Sequence, residues 1–130
     1  MDKYYTIFNN KVIEFLNDLI RIFPNDADFK MYKNALSLVK LADEKKPLEF
    51  YKIFMNDEYK ANINNKNEKF FLDHDYNEIL NSEELSNELD GNVNNKIVNK
   101  LKGYWNELST ENKEIVWNYF TLFLKISEKV

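Results

Sequence analysis

Apolar residues recur every three or four positions along most of this chain. They do so most densely near its end, in K-L-K-G-Y-W-N-E-L-S-T-E-N-K-E-I-V-W-N-Y-F-T-L-F-L-K-I-S. That spacing gathers side chains on one side of an α-helix, whereas a strand would scatter them over both faces. The stretch predicts two amphipathic helices meeting at a turn capped by Ser109, with Glu111 near the positive end of the second helix dipole. The second helix is apolar over more than half its circumference: Val116, Tyr119, Phe120, Phe123 and Ile126 form the stripe, widened by Ile115, Trp117, Leu122 and Leu124. A helix of that kind belongs at the centre of a bundle, or else offers a dimer or partner face. With only two glycines and two prolines in 130 residues, the chain lacks the usual material of β-hairpins. The expected fold is all-α: one compact domain over residues 1–130, five to six helices, with the aromatic-rich C-terminal helix at its centre.

The same periodicity predicts the other elements. A first helix runs from about Lys3 to Phe23, with Tyr5, Phe8, Val12, Phe15, Leu16, Leu19, Ile22 and Phe23 on its apolar side, and Pro24 stops it. Asn25, Asp26 and Asp28 offer caps for a second helix from about Ala27 to Lys45. Phe29, Tyr32, Leu36 and Val39 make its inward stripe, widened by Ala35, Leu38 and Ala42. Pro47 suits the first turn of a third helix reaching to about Tyr59, with Leu48, Tyr51, Phe54 and Met55 inward. Its polar, Asn-rich continuation predicts fraying. Residues 61–95 are expected to be an irregular acidic connector: from Asp73 to Asp90 there are seven acids and no Lys or Arg. Within it Phe70, Phe71 and Leu72 form an apolar anchor, and Gly91 marks a stop. A fourth long helix is expected from about Val93 to Leu108. Gly103 inside it costs about 1 kcal/mol against alanine, which predicts a close helix crossing or a ring lying over the backbone.

Several chemistries are excluded. With no cysteine, there is no disulfide, thiolate metal site or cysteine nucleophile. There is no glycine-rich phosphate loop and no G-x-S-x-G. The only histidine lies in Asp73-His74-Asp75, but consecutive side chains point apart and no second histidine supports a metal site. A solvated loop histidine is the preferred account. D-H-D-Y-N-E lacks the turn glycine of a calcium loop. Neither catalytic, cofactor-binding nor metal-ligating residues are assigned, and the chain is expected not to be an enzyme. No apolar run is long enough to span a bilayer. The N-terminus carries no signal-peptide run, and no Asn-X-Ser/Thr sequon occurs, so an intracellular location is expected.

Two surface sets remain. Phe70, Phe71, Tyr76, Tyr104 and Trp105 are candidates for an apolar groove receiving a partner helix or peptide, with the acidic run setting orientation and on-rate. Lys30, Lys33, Lys40 and Lys100 are candidates for a basic stripe touching nucleic acid or an acidic partner. The wet side of amphipathic helices is the preferred account of such lysines. A net charge of −4 makes general nucleic-acid binding unfavourable.

Three blocks carry a resemblance: Asp28-Phe29-Lys30-Met31-Tyr32; Phe70-Phe71-Leu72 with Asp75-Tyr76; and Lys100-Leu101-Lys102-Gly103-Tyr104-Trp105 through Leu108-Ser109, Glu111-Asn112-Lys113 and Val116-Trp117. Together they resemble small uncharacterised helical proteins of large nucleocytoplasmic DNA viruses of algae and amoebae. The resemblance implies a location in the host cytoplasm or nucleus, or in the virion. It brings no catalytic residue with it. It agrees with abundant Asn, Lys and Ile, the bias of an AT-rich genome. The function expected is a non-enzymatic protein-interaction module or adaptor, with a protein partner and a homodimer both open. The alternatives are a nucleic-acid-associated protein or a virion structural component.

Overall fold

A computed structural model describes residues 2–73 and 99–130. Among them are seven α-helical segments and no strand. They are α1 (Asp2–Ile22), α2 (Asp28–Ala42), α3 (Lys46–Phe54), α4 (Asp57–Asn64), α5 (Glu68–Asp73), α6 (residues 99–104) and α7 (Thr110–Ser127), with a 3-10 turn at Trp105–Glu107 joining α6 to α7. The all-α expectation holds.

The core follows from two helices. On α1, Phe8, Val12, Phe15, Leu16 and Leu19 are buried, one side of a 3.6-residue helix. On α7, Val116, Trp117, Phe123, Leu124 and Ile126 are buried. These helices pack on each other. α1 also meets α2 and α3, and α7 also meets α3 and α4. The C-terminal helix is thus covered on several sides, as its broad apolar surface predicts. Phe15 bridges the pair, its ring 5.0 Å from Tyr119 and 5.8 Å from Phe123. Below them Met55, Tyr59 and Leu124 make a second cluster, with Ile63 and Phe70 against it.

Polar groups set the breaks. Pro24 follows α1, and Asp26 Oδ1 accepts the Asp28 N–H at 2.9 Å to open α2. Pro47 sits in the first turn of α3, where its missing N–H is not needed. Asn9 is fully buried in α1 and donates from Nδ2 to the Glu44 carbonyl at 2.8 Å, tying α1 to the α2–α3 turn. Ser109 Oγ accepts the Asn112 N–H at 3.1 Å and starts α7 as expected.

Four expectations need correction. The third helix does not continue to Tyr59: Asn56 is extended and its Oδ1 accepts the Tyr59 N–H at 2.9 Å, starting a separate helix. Residues 61–73 are not an irregular connector. α4 runs to Asn64, Lys66 takes a left-handed φ of 50° past its end, and Asn67 Oδ1 accepts the Phe70 N–H at 3.2 Å to open α5; a left-handed residue there is a common helix stop. Gly103 has no close neighbour among the described residues, since a Cβ on it would meet none of their atoms within 4 Å. Leu38 and Ala42 do not widen the inward stripe of α2; both are exposed. The expectations for His74, Asp75, Gly91 and the rest of the connector lie outside the described residues.

Candidate functional site

The five aromatics expected to line one groove go to different places. Trp105 is fully buried and Phe71 nearly so. Their rings lie 5.0 Å apart, with Trp117 at 5.8 Å from Trp105 and Phe120 at 5.7 Å from Phe71. This is core, formed among the described residues by α5, the 3-10 turn and α7. Phe70 turns to the second cluster, 5.8 Å from the Tyr59 ring. Tyr104 packs against the main cluster through Phe23 and Phe29 rather than through Trp105 or Phe71. Tyr76 lies outside the described residues. Edge-to-face and offset contacts of this kind add to the burial of the rings; they describe a stability element, not an open groove.

Tyr104 belongs to a polar clasp between α6 and the α1–α2 turn. Its ring stacks on Phe23 at 4.1 Å, and its hydroxyl donates to Asp26 Oδ2 at 2.5 Å. Lys100 Nζ lies 3.2 Å from Asp26 Oδ2 and 2.6 Å from Asp28 Oδ2. The hydroxyl of Tyr104, together with the Asp28 N–H and Lys100, holds the Asp26 carboxyl below the usual carboxylate range against the opposing effect of burial. Bonds to Asp28 and Asp26 raise the Lys100 ammonium, and the Asp26 bond raises the Tyr104 phenol. A shallow cleft of about 450 Å³ lies beside the clasp, lined by Phe23, Asp26, Tyr104 and Glu107 among others. The clasp joins three elements, with Lys100, Asp26, Asp28 and Tyr104 engaged with one another.

The lysine set divides as well. Lys100 is engaged by two carboxylates. Lys30, Lys33 and Lys40 stay together along one shoulder of α2, where Lys40 Nζ approaches Asn10 Oδ1 at 3.5 Å. Among the described residues no group of three or more His, Asp or Glu side chains is placed to hold a metal ion. No described helix is long and apolar enough to cross a membrane.

The outer face of α2 is an exposed apolar surface that sequence reasoning missed. Phe29, Tyr32 and Leu36 turn into the core. On the opposite side Met31 is 55% exposed, Leu38 65% and Leu41 83%. Three of the five large apolar residues most exposed among those described therefore stand on one helix face. The signal was present as a seven-residue step from Met31 to Leu38 and from Asn34 to Leu41, which lines residues up on a helix. A leucine at the end of such a step is easily taken for core, and only the placement of α2 at the edge of the bundle shows which side faces water. With this geometry in hand, comparison with known proteins returns no matching family model, no matching curated protein and no matching solved structure.

Proposed function

We propose that the chain is a non-enzymatic protein–protein interaction module that docks through the outer face of α2. The single observation carrying this reading is the row Met31, Leu38 and Leu41, exposed on a helix whose other side is fully engaged in the core. Leucine at 83% exposure gains nothing for folding. Covering it with a partner removes apolar surface from water. The setting we propose is the infected cell, on the strength of the three sequence blocks alone.

The nucleic-acid reading is weaker, because Lys100 is tied to Asp26 and Asp28 and phosphate binding needs clustered free cations. Capture from cell extract separates the two. The wild-type chain and a Leu38→Asp/Leu41→Asp variant are compared, with and without nuclease. The expected result is a protein retained by the wild type, lost with the variant and indifferent to nuclease. Retention abolished by nuclease supports the nucleic-acid reading instead. Equal recovery by both forms removes α2 from the account.

A further inference from the structure

Resting on that docking reading, we propose that the occupant of the α2 face is a single amphipathic helix of another protein, carrying its acids along one edge. Three features of α2 specify it.

The first is the seam. Met31, Asn34, Leu38 and Leu41 follow steps of three, four and three residues. A row with that rhythm meets another helix side by side, knobs into holes, rather than a strand or an irregular loop. Fifteen residues of α2 give a helix about 22 Å long, room for four turns of a partner. Asn34, exposed within the row, sets register in such a pairing, because only one alignment gives its amide a polar neighbour.

The second is the contrast between the two edges of the seam. Ala35 and Ala42 flank one edge and let a second backbone approach. Lys30 and Ser37 flank the other, with Lys33 and Lys40 behind them on the same shoulder. The only carboxylate on α2 is Asp28, held by Lys100 Nζ at 2.6 Å. Lys30 and Lys33 make no ion pair among the described residues. This shoulder is therefore a positive strip on a chain of net charge −4. An acidic helix is attracted to this strip, which selects the orientation in which its acids face Lys30 and Lys33.

The third is what the face refuses. A second copy packed antiparallel sets lysine edge against lysine edge. Packed parallel, it sets Lys30 against alanine, with no charge gain. A membrane surface suits the lysines but not the seam, which has no aromatic and holds an asparagine in its middle.

The test uses the full chain and two labelled peptides of equal length. Both carry leucine at the seam positions; one has glutamate and the other lysine at the flanking positions. Binding is read by fluorescence anisotropy at low and high salt, beside vesicles of phosphatidylserine and phosphatidylcholine and a light-scattering mass. The glutamate peptide is expected to bind at least about tenfold more tightly than the lysine peptide, and less tightly as salt rises. Leu38→Ala/Leu41→Ala is expected to weaken it about tenfold or more. Lys30→Glu/Lys33→Glu is expected to reverse the preference. All of these side chains are at the surface, and an unchanged melting curve confirms that the variants fold. Equal binding by both peptides overturns the acidic occupant and leaves docking through α2 standing. No peptide binding, with a dimer that Leu38→Asp dissolves, assigns the face to a second copy and overturns this inference alone. Binding to vesicles only, or to nothing with a constant monomer mass, overturns both.

Discussion

Gly103 and Asp26 show how far single residues can be read from spacing. Gly103 lies in the last turn of α6 with open space where its side chain would be, so no crossing helix among the described residues explains it. Replacing it with alanine is expected to stabilise the chain by about 0.5–1 kcal/mol, through helix propensity and a stiffer unfolded chain. A urea melt of Gly103→Ala checks this, and a loss of stability would mean that something packs there. Asp26 is expected to govern the acid limit. Its folded pKa lies below the ordinary 3.8, so its contribution is full above that value and is lost as pH falls through the folded value. Asp26→Asn is expected to flatten the acid limb of a stability–pH curve. On the alkaline side Tyr119, pushed up to about 12 by burial and by its bond to Asp18, contributes in full below pH 10.0 and loses its contribution as pH rises toward 12. Tyr119→Phe is expected to soften the fall there. None of this was legible beforehand, because the partners Tyr104 and Asp18 lie 78 and 101 positions away along the chain.

The helices divide into those legible from their pattern and those decided by one polar residue. α1 and α7 carry apolar rows long enough to define both their length and their buried side. The break between α3 and α4 was hidden, because Asn56 looks like every other asparagine in an Asn-rich chain until its backbone turns extended and its side chain caps Tyr59. Ser109 was recognisable, because it precedes a strongly periodic run. Ser109→Ala is expected to cost about 1 kcal/mol, the usual worth of an N-cap, read as a shift in the urea midpoint. α2 gives the opposite lesson. Its inner row was identified, but Leu38 was assigned inward because it is leucine, and an edge helix buries only one side. Leu41→Ala is therefore expected to change stability by no more than about 0.5 kcal/mol, while Trp105→Ala loses about 3–5 kcal/mol. Comparable losses from both would contradict the assignment of α2 to the surface.

At the level of the molecule, the aromatic residues that looked available for a partner are what hold the bundle together, and the free apolar surface lies elsewhere. Spacing alone could not separate the two. Whether Trp105 lines a groove or a core depends on Phe71 arriving from α5 and Trp117 from α7, a fact of tertiary contact. Under the proposed function, stability and recognition are carried by different surfaces, so the outer face of α2 can be altered without loss of the fold, whereas its inner row of Phe29, Tyr32 and Leu36 cannot. The most direct measurement is an amide NMR titration of the full chain with the glutamate-edged peptide. Shifts are expected to concentrate at Lys30, Met31, Asn34, Leu38 and Leu41, with the amides around Phe71, Trp105 and Trp117 still. Shifts centred on Phe70, Phe71 and Trp105 would contradict this, and so would a spectrum that the peptide leaves unchanged.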